Sequence, residues 1–472
     1  MSKQIKKTAA AEKKKIEKQI AAAPKNIEGI GDWQRTHYSA EISPTDNGKQ
    51  VVVMGWVREL RDLGKVKFIS LADREGKAQI LFKSGETSPA LLKKIESVGR
   101  EWVIAVKGAV RANKSAPSGF EIIPAEIKII NESEPQLPLE PITKKTPAEF
   151  ETRLGARFID LRKPEVAAIF KVKDMVTTAM RNYLEGNNFI EIHSPKIIAE
   201  ASEGGSEVFA VSYFDREAFL AQSPQFYKQM MMASGFDRVY EIAPAFRAEK
   251  SHTTRHVTEI IMLDIEMAFI NGLENVMRTM EGMMRAVCEH VEKEGQEELK
   301  ILGKKIEIPK IPFPRISMAE AKKLLLKERG IKYGEDDELD SAGEKALGEI
   351  VKEKFGSDFV FLTEFPWKIA KFYHRQSEKN PSVAERCDLI YKGLEITTAA
   401  QREHRYWKLM EQARQQKVTT EKIKFYLDAF RYGMPPHGGS GTGIDRIVQQ
   451  ILELGNVQEA ILFPRTPERL TP

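Results

Sequence analysis

Charged residues at the end of one predicted strand have the chemistry of a phosphate site. The strand ends in the tetrapeptide FRAE, which holds Arg247 and Glu249, and a polar loop leads to a second strand carrying Asp264 and Glu266. An arginine on a rigid strand can hold a phosphate through two parallel hydrogen bonds, and a glutamate can accept from an amino group. A surface ion pair between Arg247 and Glu249 explains the same residues, so this segment alone leaves both interpretations open.

A glycine-rich segment near the C-terminus is a second candidate. The sequence MPPHGGSGTGIDR (434–446) contains glycines that let a backbone pass close to a ligand. A helix is predicted to follow and to carry Arg446, whose flat guanidinium can stack on a ring such as adenine. Such glycines more often form only a tight bend. The sequence has no Walker-type phosphate loop and no dinucleotide-binding glycine motif, so a nucleotide would need another kind of site.

Composition excludes several classes of protein. The chain has 472 residues, a formal net charge of +5 and only two cysteines, Cys288 and Cys387. The cysteines are too few and too far apart for a zinc site or a disulfide scaffold, and they fit a reduced, cytoplasmic setting. No segment approaches the roughly 18 uninterrupted apolar residues of a membrane span. We therefore expect a protein of two or three domains with no membrane partner.

The N-terminal third is predicted to contain a β-barrel. Residues 1–33 form a Lys- and Ala-rich extension, which is either a solvated tail or a basic arm that touches phosphates. Residues 34–133 are predicted to form an OB-fold, because five β-rich runs enclose one helix at 88–99 between the third and the fourth run. The runs are 51–57, 67–73, 77–82, 102–110 and 120–130. Residues 134–149 are rich in proline and are predicted to be a linker.

The remainder, residues 150–472, is predicted to be one α+β domain. Apolar residues recur at helical spacing before a strand that ends near Pro195. They are Ile169, Val172, Val176, Met180 and Tyr183. Strand-like runs follow, and short turns between them favour an antiparallel sheet. These runs are 207–222, 238–246, 258–269, 358–363 and 388–397. Residues 271–300 and 341–355 are predicted to be amphipathic, peripheral helices.

The motifs in this order resemble those of a known enzyme family. The helix and strand before Pro195 are similar to the first motif of class II aminoacyl-tRNA synthetases, FRAE to the second, and GTGIDR (441–446) to the third. With the OB-fold in front, the chain resembles the class IIb group, and most closely the archaeal-type aspartyl enzymes. The resemblance implies an antiparallel-sheet catalytic domain, a homodimer, and ATP-dependent attachment of L-aspartate to tRNA through an aspartyl-adenylate. It also implies magnesium as the metal cofactor.

The segment QSPQFYKQ (222–229) indicates the amino acid. In aspartyl enzymes the matching Gln and Lys, here Gln225 and Lys228, line the amino-acid pocket. An ammonium group pairs with a side-chain carboxylate but has no acceptor for the NH₂ group of asparagine. The resemblance implies that Arg402 is a second clamp on that carboxylate, and that Glu203 closes over the substrate from a mobile loop. The aspartate-binding set it implies is Glu203, Gln225, Lys228, Arg247, Asp264, Thr398 and Arg402.

The same resemblance assigns the nucleotide site. Arg247 would hold the α-phosphate, Arg446 would cap the adenine, and Glu395 with Thr398 would bind magnesium, with Asp388 behind them. Arg247, Arg446 and Glu395 are the residues implied to be catalytic. The ATP-binding set is Arg247, Glu249, Arg255, His256, Val257, Glu395, Gly443, Ile444, Asp445 and Arg446. His437 is expected near the terminal phosphates and Ser223 beside the amino acid.

Residues of the barrel are implied to bind the anticodon. Phe68 would stack on a base, Gln79 would hydrogen-bond to it, and Arg61 would add a phosphate or base contact. Phe68 could instead belong to the barrel core. Arg58 and Pro117 stand near positions that separate tRNA for aspartate from tRNA for asparagine, and their identities favour an enzyme that charges both.

Two departures from the family pattern affect the expected pocket. Ala399-Ala400 replaces a usual pair of glycines, and Thr442 replaces an apolar residue. Two other functions remain open from the sequence. One is an asparagine-activating or tRNA-independent member of the same group, and the other is an RNA-binding protein with an inactive synthetase domain.

Overall fold

The computed structural model describes residues 27–141, 148–200, 207–249 and 257–472. The chain divides into two units. The first comprises Met1–Thr152 with Phe158–Arg162, and the second comprises Arg153–Arg157 with Lys163–Pro472. No helix in the described parts of the chain has the length and apolar character that crossing a bilayer requires.

The first unit contains a closed five-stranded barrel of order β1-β2-β3-β5-β4. Its elements are β1 (Gln50–Asp62), β2 (Val66–Ala72), β3 (Lys77–Lys83), α1 (Pro89–Ile95), β4 (Val103–Ala112) and β5 (Phe120–Asn131). Alternate β-branched residues such as Val51, Val53 and Ile69 point into the barrel and are buried. Helix α1 lies between β3 and β4, and Ser88 caps its first turn by accepting from the backbone of Leu91. The predicted OB-fold is confirmed.

An eight-stranded sheet organises the second unit, in the order β12-β13-β14-β15-β16-β11-β10-β6. Only the edge pairs β12–β13 and β6–β10 are parallel, and all other neighbours are antiparallel. The strands are β6 (Ile190–Glu191), β10 (Arg238–Phe246), β11 (Glu259–Ala268), β12 (Arg315–Ser317), β13 (Phe359–Pro366), β14 (Val383–Tyr391), β15 (Leu394–Gln401) and β16 (His437–Gly443). A separate three-stranded sheet is formed by β7 (Ile197–Ile198), β8 (Ala210–Tyr213) and β9 (Arg216–Leu220).

Helices cover one face of the large sheet. The helices from residue 150 onward are α2 (Phe150–Gly155), α3 (Arg157–Asp160), α4 (Pro164–Gly186), α5 (Gln225–Met232), α6 (Leu273–Glu294), α7 (Gln296–Leu302), α8 (Met318–Arg329), α9 (Ser341–Phe355), α10 (Tyr406–Gln415), α11 (Lys424–Arg431) and α12 (Ile444–Leu452). Val176 of α4, Met280 of α6 and Ile447 of α12 pack with Leu263 and Ile396 of the sheet in one core. The prediction that residues 271–300 are peripheral is therefore wrong, because the apolar face of α6 is wide enough to be buried along its length.

The glycine-rich segment is a strand and not a bend. Strand β16 lies in the middle of the sheet, between β15 and β11. Sequence reasoning gave more weight to the turn propensity of glycine than to its ability to admit close neighbours in a sheet. This placement brings the third motif, on β16, beside the second motif, which includes β11. Both motifs therefore contribute to the face of the sheet that is not covered by the core helices.

Candidate functional site

Cross-strand register places three polar residues and a glycine, one from each of four strands, in one row on the open face of the sheet. Asp388 pairs with Thr398, Thr398 with Gly441, and Gly441 with Asp264. Directly opposed residues point to the same face of a sheet. Because adjacent strands lie roughly 4.8 Å apart, Asp388 and Asp264 are separated by about 14 Å. The row therefore has an acidic group at each end and a bare glycine between them.

A second row runs parallel to the first. Arg386 pairs with Ala400, Ala400 with Gly439, and Gly439 with Glu266. An added Cβ at Gly439 would lie 2.1 Å from the carbonyl oxygen of Ile265 and 2.3 Å from the Glu266 carboxylate. This position therefore requires glycine because a neighbouring strand and a buried carboxylate leave no room for a methyl group.

Replacement of Gly439 by alanine is expected to destabilise the second unit by about 3 kcal/mol, since overpacking of this kind displaces backbone. Thermal unfolding should show the loss as a lower midpoint. Gly443→Ala is the matched control, because its Cβ would meet only the Arg446 side chain at 3.6 Å. Equal stabilities of the two variants would show that the neighbours of Gly439 can move apart to admit a methyl group.

A cavity of about 700 Å³ lies over these rows. Its walls come from the second motif, the third motif, β14, β15, helix α5 and the segment before α9. The lining includes Ser223, Gln225, Lys228, Arg247, Glu249, Val257, Asp264, Asp336, Asp337, Glu338, Lys371, Arg386, Glu395, Thr398, Arg402, Gly441, Gly443, Asp445 and Arg446. The volume is ample for a small-molecule ligand.

A buried ammonium group marks one end of the cavity. Lys228 reaches from α5 to the sheet, is 2% exposed, and donates to the Asp264 carboxylate at 2.7 Å and to the carbonyl of Ser440 at 2.9 Å. A lysine is almost never buried so deeply without partners. Lys228 is therefore not a solvated lysine at the edge of a helix.

A second buried cation lies beside it. The Arg402 guanidinium donates to both oxygens of Glu266, at 3.0 and 3.2 Å, and to the carbonyl of Gly439 at 3.2 Å. Glu266 is also 3.8 Å from Lys228. Two buried cations therefore face two buried carboxylates at this end of the cavity. Sequence reasoning assigned no role to Glu266, although its position two residues after Asp264 on one strand places both on the same face.

Gln225 lines the cavity and is held there by a chain of hydrogen-bonded side chains. Its Nε2 donates to Gln229 at 2.7 Å, Tyr426 donates to the same oxygen at 3.2 Å, and the Gln229 amide lies 2.9 Å from His437 Nε2. Burial lowers the pKa of His437 to about 4, so the ring is neutral. His437 is fully buried beneath Gln229, so the expectation that it lies near phosphates is wrong.

The opposite end of the cavity joins Arg446, Glu395 and Thr398. Arg446 donates to the carbonyl of Glu395 at 2.8 Å and lies 3.4 Å from its carboxylate, while the Thr398 hydroxyl donates to the other carboxylate oxygen at 2.8 Å. Burial raises the pKa of Glu395, but Arg446, Thr398 and Arg386 together outweigh it and lower the pKa. Glu395 is therefore ionised at neutral pH.

Arg247 and Glu249 lie at this end without a tight bond between them. Their charged atoms are 3.8 Å apart, and the Arg247 side chain is 39% exposed. The Arg247 backbone is fixed by a 2.9 Å hydrogen bond to the carbonyl of Thr258. A half-exposed guanidinium on a fixed strand is available to a ligand, and this geometry favours the phosphate interpretation over the surface ion pair.

The oxygen donors beside Glu395 are suited to magnesium. Burial raises the pKa of Asp388, Arg386 opposes that effect, and Glu395 adds to it. Within the described ranges, no group of three or more His, Cys, Asp or Glu residues could hold a metal on its own. Magnesium prefers few protein carboxylates together with phosphate oxygens, and Glu395 with Thr398 fits that donor set.

The third motif contributes less to the cavity than expected. Ile444 is fully buried in the core, and Asp445 is held by Lys173 and by the backbone amide of Ile261 at 3.1 Å. The Ile444 side chain therefore packs in the core, so that only its backbone could contact a nucleotide, and the carboxylate of Asp445 is already bound within the protein. Thr442 also faces the core, where the hydroxyl of Thr397 donates to it at 3.0 Å.

The two alanines that depart from the family pattern do not line the cavity. Ala399 packs in the core, and Ala400 is fully buried in the second row. The expectation that both methyl groups alter the pocket is wrong for Ala399, because alternate residues of a strand point to opposite faces and Ala399 faces the core. Ala400 lies on the cavity face, in the row of Arg386 and Gly439, but it is fully buried and is not among the residues that line the cavity. Glu203, Arg255 and His256 lie outside the described residues.

On the barrel, Phe68 and Gln79 lie on one face of neighbouring strands. Phe68 pairs with Leu81, and Gln79 pairs with Ser70, so the two side chains are diagonal neighbours. Phe68 is half-buried and is not part of the barrel core, whereas Ile69 is. Gln79 lies 3.4 Å from the Glu121 carboxylate. A partly open aromatic ring beside an amide is suited to an unstacked base.

The other predicted barrel residues differ in exposure. Arg61 is exposed and donates to Glu59 through two 2.9 Å hydrogen bonds. Pro117 is exposed in the turn between β4 and β5. Arg58 is buried against Glu101 and also donates to the carbonyl of Arg162 at 3.2 Å. A direct contact of Arg58 with RNA would have to break this buried ion pair.

Comparisons with known proteins agree with this arrangement. Residues 149–467 match the family of class II tRNA synthetases (D, K and N), and residues 51–130 match the OB-fold nucleic acid binding domain. The aspartate–tRNA(Asp) ligase of Thermococcus kodakarensis is 48% identical over 93% of this chain and 100% of its own length. The aspartate–tRNA(Asp/Asn) ligase of Methanococcus aeolicus is 43% identical over 94% of this chain and 99% of its own length.

Solved structures show the same fold. An asparaginyl-tRNA synthetase from Pyrococcus horikoshii, complexed with asparaginyl-adenylate, has a TM-score of 0.85 at 30% identity and covers 93% of this chain and 100% of its own. An aspartyl-tRNA synthetase from Entamoeba histolytica has a TM-score of 0.83 at 29% identity and covers 95% of this chain and 97% of its own. The matched residues carry all three motifs and the barrel, and the chain belongs to the class II tRNA synthetases of the D, K and N group.

Proposed function

We propose that this protein uses ATP to attach L-aspartate to tRNA through an aspartyl-adenylate. One observation carries the proposal: Lys228 and Arg402 are buried at one end of a cavity whose other end holds Arg247, Glu395 and Arg446. Relatives that match this chain over nearly their full length are named as aspartate–tRNA ligases, which supports the same reaction.

The charge balance at Lys228 favours aspartate over asparagine. Among the described residues, Asp264 and Ser440 accept two of the three hydrogen bonds that an ammonium can donate. Among the described residues the third N–H has no acceptor within hydrogen-bond distance, since the Glu266 carboxylate is 3.8 Å away, and it can donate to a substrate carboxylate. The NH₂ group of asparagine would meet that N–H with a second donor, and buried donors that lack an acceptor cost about 1–3 kcal/mol each, which gives discrimination against asparagine.

The residues of the cavity have separate tasks in the proposed reaction. Lys228, Arg402 and Gln225 bind the amino acid, and Asp264 and Glu203 attract its ammonium group. Arg247 holds the α-phosphate in line with the attacking carboxylate and stabilises the charge that develops there. Arg446 covers the adenine, with Glu249, Arg255, His256, Val257 and Gly443 completing the nucleotide site. Glu395 and Thr398 would hold magnesium, which would supply positive charge to the phosphates.

A homodimer is part of the proposal. Ile190 on the edge strand β6, Phe236 before β10 and Phe269 after β11 are exposed apolar side chains at one edge of the sheet. Such a patch is typical of a protein interface. Sedimentation analysis should give twice the chain mass, and Ile190→Asp should shift the equilibrium toward the monomer. We also propose a cytoplasmic location, consistent with the free cysteines Cys288 and Cys387.

The direct test is amino-acid-dependent ATP–pyrophosphate exchange, followed by charging of purified tRNAs. We expect exchange with aspartate and charging of tRNA(Asp). Exchange only with asparagine would identify an asparagine-activating enzyme, and exchange without charging would identify a tRNA-independent one. No exchange with either amino acid would favour an RNA-binding protein with an inactive catalytic unit. Charging of tRNA(Asn) with aspartate is expected from the sequence and is measured as a separate arm.

Replacement of Phe68 by alanine is expected to lower kcat/KM for tRNA about 10- to 100-fold, since base stacking contributes roughly 1–3 kcal/mol. The exchange reaction needs no tRNA and should keep its wild-type rate. Phe355→Ala removes an exposed aromatic ring from the second unit and serves as the control. Unchanged charging by the Phe68 variant would remove this ring from the anticodon site.

A further inference from the structure

An acidic segment lies on the wall of a cavity that is proposed to receive a polyanion. Asp336, Asp337 and Glu338 line the cavity just before helix α9. Two ion pairs hold the segment: Lys368 donates to Asp336 at 2.6 Å, and Arg386 donates to Glu338 at 2.7 Å. These carboxylates would repel a bound triphosphate. The presence of Glu338 on the wall of a phosphate site, paired with Arg386, therefore needs a physical explanation.

Arg386 is a fixed guanidinium at the same cavity wall. It projects from β14, its side chain is 14% exposed, and it lies over the Phe365 ring at 4.0 Å. One nitrogen donates to Asp388 at 3.1 Å, and Nε has no hydrogen-bond partner among the described residues. The ring sets the plane of the guanidinium, so its donors keep their direction even if one acceptor leaves.

The two acceptors of Arg386 differ in how easily they can be displaced. The Asp388 carboxylate is buried, whereas the Glu338 side chain is 49% exposed. An exposed carboxylate that leaves an ion pair is rehydrated, so the pair is weak. A phosphate oxygen could therefore replace Glu338 at little cost while Asp388 continues to orient the guanidinium.

Arg386 is also close to the residues that are proposed to handle phosphate. Its positive charge contributes to lowering the pKa of Glu395, so the two groups interact through space. In the sheet, Arg386 stands two residues before Asp388, on the same face and in the row next to that of Thr398. Arg247 and Arg446 line the same cavity.

We propose that Arg386 is a further phosphate-binding residue of this enzyme, and that Glu338 occupies it until the polyphosphate of ATP, or pyrophosphate, takes its place. This inference rests on the proposed function, because it assigns a role within the same site. The Glu338–Arg386 ion pair is then a competitor of the nucleotide, and the segment 336–338 is released from the cavity wall when the nucleotide binds.

The two ends of the ion pair give opposite results if the proposal is right. Arg386→Gln should raise KM for ATP and the inhibition constant of inorganic pyrophosphate about tenfold, with Arg386→Lys between it and the wild type. Glu338→Gln should lower both constants two- to fivefold, because the competitor is gone. KM for aspartate should change less than twofold in each variant. An ion pair with a merely structural role would give changes of the same sign at both ends.

The measurements are made on the full chain by aspartate-dependent exchange, with ATP binding in the absence of aspartate measured by calorimetry. Arg329→Gln breaks a 2.7 Å ion pair with Glu353 on the outer helices and should leave every constant unchanged. A raised KM for ATP in Glu338→Gln, or an unchanged one in a folded Arg386→Gln variant, would overturn the proposal. Absence of exchange in the wild type would instead reject the proposed function, and ATP binding by calorimetry would still test Arg386.

Discussion

Replacement of Lys228 by methionine is expected to lower kcat/KM for aspartate in the exchange reaction about a thousandfold. Removal of the cation that pairs with a bound carboxylate costs roughly 2–5 kcal/mol of binding, and each 1.36 kcal/mol is about a factor of ten in rate. Lys228 donates to Asp264 and to the Ser440 carbonyl, and methionine keeps most of its volume without either bond. The KM for ATP should change little.

The same substitution should also lower stability, because the Asp264 carboxylate is left buried without its partner. Combining Lys228→Met with Asp264→Asn removes both charges and should restore most of the thermal midpoint without restoring activity. Near-normal aspartate activation in the single variant would show that the amino-acid pocket lies elsewhere. Recovery of activity in the double variant would show that Lys228 serves only the fold.

Arg247→Gln is expected to give the contrasting result, in which activity is lost and stability is kept. A preorganised donor aimed at developing charge contributes roughly 10²- to 10³-fold in kcat. The Arg247 side chain is 39% exposed and lies 3.8 Å from Glu249, so its loss should change the free energy of unfolding by less than about 0.5 kcal/mol. Exchange kinetics and thermal unfolding measure the two quantities.

The control for Arg247 is Arg278→Gln, which breaks an exposed 3.0 Å ion pair with Glu274 on helix α6 and should leave both quantities unchanged. Aspartate binding, measured without ATP, should survive in Arg247→Gln. A drop in thermal midpoint that accounts for the lost exchange would contradict the assignment of Arg247 to the phosphate. Lys228 and Arg247 are thus separable by the ratio of lost activity to lost stability.

Sequence patterns predicted the barrel and most strands because these depend on local alternation of side chains. The run 388–397 was predicted to be strand, and the structure divides it at Lys392-Gly393 into the neighbouring strands β14 and β15. Strand β16 was missed because glycine has low strand propensity, and its place is set by neighbours far away in sequence. Helices α8, α10 and α11 were also missed.

At the site, the motif residues could be identified, but their partners could not. The pairing of Arg402 with Glu266 spans 136 residues of sequence, and that of Arg386 with Glu338 spans 48. Such contacts follow from strand order, which a local pattern does not contain. The burial of His437 was not predicted for the same reason, since burial depends on what packs above a residue.

The bare position of the sheet at Gly441, which lines the cavity, has a consequence for heat resistance. The glycine has no side chain to cover the sheet on the cavity face. A bound adenylate would cover the sheet at that position instead. Ligand that binds only the folded chain adds roughly 2.7 kcal/mol to the unfolding free energy at a hundred times its Kd. The enzyme with its substrates bound should therefore unfold at a higher temperature than the enzyme without them.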